Sequence, residues 1–198
     1  MSKRSKHSES LVFSILSISL LAFSLIPAQL IAEEQNIIGV YFDEAGTVNI
    51  LSTEGPADVQ MWVVVKHMSS DADLASVGFW LGVNDQCIQD VQSLIGGQNF
   101  GDQGMFLLAA SPQIPACDTI LICTFGRSVM SAEERLDFYI RPVPDHPDPT
   151  PAYVTGDYIL HTLMPSSGSF DVPVATINPD GTLVQEDKTW GQIKSIFR

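Results

Sequence analysis

Positively charged residues are scarce in this chain, which has 10 lysines and arginines against 23 aspartates and glutamates and a formal net charge of −13. Nucleic-acid binding depends on lysine and arginine side chains that displace the counterions of the phosphate backbone. The scarcity therefore excludes nucleic acid as a predicted partner. A surface this acidic favours solubility and repels anionic ligands.

Recognisable catalytic and metal-binding motifs are also missing. The chain contains no G-x-S-x-G or S-x-x-K sequence, and no two of its histidines or cysteines have the spacing of zinc ligands on one element. We therefore predict no catalytic residue, no metal ligand and no cofactor. An envelope hydrolase with an unrecognised site around His67 or His161 is the alternative.

What the chain does have is one long uncharged run, Leu11 to Ile31, between a basic head at positions 3–6 and the small residue Ala32. This order is typical of a secretory signal peptide (residues 1–32). Cleavage after Ala32 would leave residues 33–198 as one acidic domain, periplasmic or extracellular, with no stable membrane span. The 21-residue run is also long enough to cross a hydrocarbon layer of ~30 Å, so a retained anchor is the alternative.

Short segments of alternating apolar and polar residues make up most of the mature chain. The clearest spans residues 76–83, where every second side chain is large and apolar: Val77, Phe79, Leu81 and Val83. A period of two indicates half-buried strands. About eight to ten such segments, separated by turn residues and without intervening helices, predict an all-β antiparallel β-sandwich of the Ig-like or cohesin-like class.

The three cysteines allow at most one disulfide bridge within the chain. The residues between Cys117 and Cys123 have a strand pattern, and an extended strand would hold these two about 20 Å apart, far beyond the ~5.5 Å that a bridge needs. We therefore favour a bridge between Cys87 and Cys117, with Cys123 as a small buried hydrophobic residue. Three unpaired cysteines are the alternative.

Trp80 is the best candidate for a ligand-binding face. It lies opposite the apolar row of its strand, and the flanking Gly78 and Gly82 would leave its ring faces open. Exposed aromatic rings can stack on sugars, so the sequence predicts a glycan or protein partner at this face. The alternative is that a second layer covers the ring.

Calcium is weakly supported. The turn sequence at 178–181 resembles part of an EF-hand loop, but Thr176 occupies the position where a carboxylate is required. An ordinary β-turn explains the same residues. A calcium-dependent glycan-binding module is therefore an alternative without a full motif.

The C-terminal segment has a helical pattern. Thr189 and Gln192 fit a capping box, and the apolar residues Trp190, Ile193 and Phe197 fall on one face. We predict a short helix over about 189–197 that docks on the domain through these three side chains. A helix that is offered to a partner as a recognition tag is the alternative.

The same tail, Thr-Trp-Gly-x-Ile-Lys-x-x-Phe-Arg over 189–198, resembles the terminal motif of uncharacterised exported bacterial β-sandwich proteins. Those proteins also open, after a signal peptide, with a segment similar to residues 38–43. This chain departs from their pattern at 78–80, where they often have a Gly-Trp pair, and it has fewer cysteines. The resemblance implies an exported bacterial β-sandwich without an assigned activity, and we predict a non-catalytic binding or structural module.

Overall fold

The computed structural model of the protein describes residues 36–102, 104–144 and 151–183. The predicted signal peptide and the predicted C-terminal helix, with Trp190, Ile193 and Phe197, lie outside these ranges. All described residues belong to one compact unit. Among them, no helix has the length and apolar character to cross a membrane.

The described residues form fifteen β-strands and no helix, which confirms the all-β prediction. Alternating side chains and frequent turn residues favour strands over helices in this sequence. The strands are β1 (Ile37–Tyr41), β2 (Ile50–Leu51), β3 (Ala57–Lys66), β4 (Leu74–Val83), β5 (Gln86–Cys87), β6 (Gln92–Ser93), β7 (Gly96–Asn99), β8 (Met105–Ile114), β9 (Thr119–Val129), β10 (Glu134–Arg141), β11 (Ala152–Thr155), β12 (Leu160–Thr162), β13 (Met164–Pro165), β14 (Ala175–Ile177) and β15 (Thr182–Leu183).

The strands form two sheets. The first sheet has the order β13-β1-β3-β9-β6, and the second has the order β12-β11-β4-β10-β14-β2. In the second sheet β4 also pairs with β8 and β5, and β8 pairs with β7; β15 pairs with β10. Because β8 and β10 lie on opposite sides of β4, the middle of β4 has neighbours on both edges.

Both sheets are mixed, which corrects the prediction of a purely antiparallel arrangement. The long strands pair antiparallel, but β1 with β13 and β14 with β2 pair parallel. A single residue, Leu163, separates β12 in the second sheet from β13 in the first. The chain thus passes directly between the sheets and enters the first one alongside β1 in a parallel direction.

The inner faces of the two sheets pack on one hydrophobic core. Phe125 of the first sheet lies 6.0 Å, centroid to centroid, from Phe138 of the second. Phe79 packs on Phe106 at 5.5 Å within the second sheet. The alternating residues predicted to face inward in 76–83 are all buried. Burial of each such side chain contributes roughly 1.5–3 kcal/mol to stability.

A tight turn joins β4 to β5. Asn84 and Asp85 both have positive φ, 44° and 66°, as a two-residue type I′ hairpin turn requires. The Asn84 side chain donates to the Arg135 carbonyl at 3.1 Å and accepts the Asp137 N–H at 2.8 Å. These bonds fix the turn against β10 and hold Asp85 beside the end of that strand.

All three cysteines are free in this structure. Cys123 is buried in β9, as predicted, and burial raises the pKa of its thiol well above the usual range. Cys87 pairs with Gly82 near one end of β4, whereas Leu74 at the other end pairs with Ile114. These ends are about 26 Å apart at ~3.3 Å per residue, and Cys117 follows closely after Ile114. The predicted bridge between Cys87 and Cys117 is therefore not formed.

Candidate functional site

Trp80 lies on the outer face of the second sheet, opposite the buried apolar row. Its cross-strand partners are Arg141 on β10 and Met105 on β8, and Tyr139 is the partner of Gly82 one row further along. Partners in register point to the same side of a sheet. The pairing therefore places two aromatic rings and a guanidinium side by side on the middle of the sheet.

The indole of Trp80 leans over Gly82. A Cβ added at Gly82 would lie 1.9 Å from Cη2 of Trp80, so the ring occupies the space that any side chain there would need. This differs from the prediction that the neighbouring glycines leave both ring faces open, because the free space above Gly82 lets the ring lie down on the strand. Trp80 is half-buried.

Arg141 joins the two rings. Its guanidinium carbon lies 5.3 Å from the centre of the Trp80 ring and 4.7 Å from that of Tyr139. Both distances are typical of cation–π contacts. The guanidinium also donates to Asp85 at 3.2 Å; the side chain of Arg141 is 35% exposed and that of Asp85 is 84% exposed. We call Trp80, Gly82, Asp85, Tyr139 and Arg141 the Trp80 platform.

Burial raises the pKa of Tyr139, and the negative charges of Asp137 and Asp85 raise it further, although Arg141 and Arg135 act in the opposite direction. The phenol is therefore neutral at physiological pH. A neutral hydroxyl can both donate and accept a hydrogen bond. The platform thus presents a neutral donor-acceptor, a cation and a carboxylate next to an aromatic surface.

A buried polar cluster supports the platform from the side of β14. The Asp137 carboxylate accepts from the Nε of Arg135 at 3.1–3.2 Å and from the Thr176 hydroxyl at 2.8 Å. Arg135 also donates to the Pro179 carbonyl at 3.2 Å. Because the buried carboxylate has these partners, the cluster stabilises β10 rather than offering a site for a ligand.

The first sheet carries a similar aromatic ring on its outer face. Tyr41 lies over Gly39, where an added Cβ would meet the ring at 2.8 Å. The Lys66 ammonium lies 4.9 Å from the ring centre and donates to the Gly46 carbonyl in the loop after β1. Tyr41 is only 7% exposed, and burial raises the pKa of its phenol. This ring is covered and cannot meet a ligand.

The histidines lie elsewhere. Nδ1 of His67 is 2.7 Å from Asp118, where the ends of β3 and β9 meet, and the two residues also share a backbone hydrogen bond. His161 stacks on Tyr153 with centroids 4.8 Å apart, and its Nε2 is buried without a hydrogen-bond partner. In the described part of the chain, neither histidine has a hydrogen bond to a serine or threonine hydroxyl.

The turn at 178–181 is tied into the fold by Asn178. Its buried side chain accepts the Thr53 N–H at 2.7 Å and donates to the Glu134 carbonyl at 3.0 Å. The turn borders an open cavity of about 210 Å³. Within residues 36–102, 104–144 and 151–183, no group of three or more acidic, histidine or cysteine side chains is arranged to hold a metal ion.

Of the residues that the sequence singled out, Trp80 is the one that the structure surrounds with further partly exposed aromatic and charged groups. Arg141 and Tyr139 were not identified from the sequence because their proximity to Trp80 depends on the register between strands distant in the chain. The only local signal is an alternation that turns both residues away from the core. The chain matches no protein-family model, no curated protein and no solved structure.

Proposed function

We propose that this protein is an exported, non-catalytic β-sandwich of the Ig-like class that binds a ligand at the Trp80 platform. The signal-peptide pattern of residues 1–32 supports export to the periplasm or the extracellular space. Two packed sheets around one core support the sandwich. The predicted helix over 189–197 is part of the same proposed domain. The resemblance of the C-terminal motif to exported proteins supports a bacterial envelope role.

The observation that carries the binding role is the partly exposed Trp80 beside Arg141 and Tyr139 in the middle of a sheet. Tryptophan, tyrosine and arginine are the residue types that dominate binding energy at interfaces. Strands with neighbours on both edges hold such side chains in place before the ligand arrives, which reduces the entropy lost on binding. A surface loop would not offer this pre-organisation.

The test is capture from a bacterial envelope extract with immobilised residues 33–198. We expect components that the wild-type domain retains to be lost with Trp80→Ala. Trp62→Ala is the matched control, since Trp62 is a half-buried tryptophan on the outer face of the other sheet, paired with Tyr41. Thermal unfolding of each variant verifies folding. Identical capture by all three proteins would contradict a binding role for the platform.

A further inference from the structure

We infer that the Trp80 platform binds an uncharged carbohydrate, with a sugar ring packed on Trp80 and its hydroxyls bonded to Arg141 and Asp85. This inference rests on the proposed function and specifies its ligand. It follows from the shape of the platform, from its hydrogen-bonding groups, from its charge balance and from the pairing of β4.

The shape of the platform suits a ring-shaped ligand with an apolar face. A pyranose presents C–H groups on its flat faces and hydroxyls at its rim, and the C–H groups pack on aromatic rings. Trp80 rests against the strand at Gly82, and Tyr139 lies in the neighbouring row. The guanidinium between them is within 5.3 Å of both ring centres. Apolar contact and polar groups are therefore within reach of the same sugar.

The polar groups match hydroxyls rather than a single charge. A guanidinium has five N–H donors, and the bond to Asp85 engages one nitrogen of Arg141. The Asp85 carboxylate is 84% exposed and retains free acceptor positions. A donor and an acceptor at hydrogen-bond distance from each other can bind two adjacent hydroxyls, since each hydroxyl donates and accepts.

The charge balance favours a neutral ligand. Asp85 offsets the charge of Arg141 within the platform itself. Residues 33–198 carry 7 basic and 22 acidic side chains, a net charge of −15. A field of this sign repels acidic polysaccharides, and the guanidinium at the centre of the platform repels cations.

An extended peptide is a poorer fit. Peptides that add to sheets do so through free backbone groups at an edge strand. Trp80 has backbone-paired neighbours on both sides, Met105 on β8 and Arg141 on β10. A ligand at the platform must therefore bind through side chains, as a stacked sugar does.

The experiment measures binding of residues 33–198 to purified neutral oligosaccharides and to acidic polysaccharides. The neutral probes are hexasaccharides of glucose, mannose and N-acetylglucosamine, and the acidic probes are polygalacturonate and hyaluronate. Isothermal titration calorimetry and tryptophan fluorescence are the readouts, each at low and at high sodium chloride. We expect at least one neutral hexasaccharide to bind with an affinity that changes less than about twofold with salt.

Trp80→Ala should weaken this binding at least about tenfold, and Arg141→Lys should weaken it by a similar factor because the planar donor fork is lost. Trp62→Ala should leave the affinity unchanged. If Trp80→Ala fails to fold, Trp80→Phe and Asp85→Asn test the same contacts. No binding of any neutral probe, or salt-sensitive binding of acidic probes alone, overturns the carbohydrate inference. Capture from extract that depends on Trp80 would still uphold the proposed function in that case.

Discussion

The two sheets carry the same local arrangement on their outer faces with opposite outcomes. In each, an aromatic ring lies over a glycine two residues away in its own strand, Tyr41 over Gly39 and Trp80 over Gly82. In each, a cation lies near the ring centre: the Lys66 ammonium is 4.9 Å from that of Tyr41, and the Arg141 guanidinium carbon is 5.3 Å from that of Trp80. Tyr41 is 7% exposed, whereas Trp80 is only partly buried.

The loops that follow the two strands also differ in length. Eight residues separate β1 from β2, and this loop meets the Lys66 ammonium that lies over Tyr41, because the Gly46 carbonyl accepts from it. Asp43 fixes the loop by accepting the backbone N–H groups of Thr47 and Val48 at 2.8 and 2.7 Å. Only two residues separate β4 from β5, too few to cover Trp80. The same aromatic–glycine pair is therefore structural in one sheet and available to a ligand in the other.

Replacing Tyr41 and Trp80 by alanine should give the largest difference in stability between the covered ring and the partly exposed ring. Tyr41→Ala should lower the free energy of unfolding by about 3 kcal/mol, since it removes a buried aromatic ring. Trp80→Ala should cost only about 1 kcal/mol, because part of its side chain is already exposed to water. Chemical denaturation measures both values. Equal losses would contradict the distinction between a covered and an open ring.

Substitution of the glycines should give the next largest effect. Gly39→Ala places a Cβ 2.6 Å from the Ser166 hydroxyl and 2.8 Å from the covered Tyr41 ring, and should cost about 2 kcal/mol. Gly82→Ala clashes with Trp80 at 1.9 Å, but that ring can swing into solvent, so we expect about 1 kcal/mol.

Gly126→Ala in β9 is the matched control for both glycine variants, since the nearest atom to its added Cβ is 3.9 Å away. Its unfolding midpoint should stay within error of wild type. Tryptophan fluorescence should change in Gly82→Ala and not in Gly126→Ala. A larger loss of stability in Gly82→Ala than in Gly39→Ala would mean that Trp80 is held as firmly as Tyr41.

Asp43, in the loop between β1 and β2, should make the stability of the protein depend on pH. Desolvation alone would raise the pKa of Asp43, but hydrogen bonds from Val48 and Thr47 and the charge of Lys66 outweigh it and lower the pKa. A lowered pKa in the folded state gives stability that is present above the unfolded value near 4 and is lost as the pH falls through the folded value.

Asp43→Asn should therefore lower the melting temperature at pH 7, and the gap to wild type should narrow as the pH falls below about 4. Thermal unfolding between pH 2.5 and 7 measures this. Asp71→Asn, in another loop, is the control and should show no such convergence. A constant gap across this range would show that the Asp43 charge does not stabilise the loop.

The smallest expected effect is on the pKa of Tyr139 in the Trp80 platform. Burial is the largest cause of the raised pKa of Tyr139, and Asp85 adds to it. Asp85→Asn should lower the pKa of this phenol, while burial continues to hold it above the usual value for tyrosine. Phenolate absorbance, with Tyr139→Phe to identify the signal, measures the shift. Asp118→Asn is the control, and an upward shift in Asp85→Asn would contradict the pairing of Asp85 with the platform.

Part of this molecule could be predicted from local sequence. The alternation at 76–83 correctly assigned the inner and outer sides of β4, and Cys123 is buried as expected. The pairing of Cys87 with Cys117 was expected because both lie in loops, yet the register places them near opposite ends of β4. Loop composition does not say which end of a strand the loop reaches.

The sequence by itself determined which face of β4 meets the core, because successive side chains in a strand point in opposite directions and Val77, Phe79, Leu81 and Val83 fall on one side. It also determined the excess of 23 acidic over 10 basic residues, from which we expect repulsion of anionic ligands. The tertiary structure decided that Arg141 and Tyr139 lie beside Trp80 and that Lys66 lies over Tyr41. Cross-strand register and loop path depend on contacts between residues far apart in the chain, and local alternation carries no information about them.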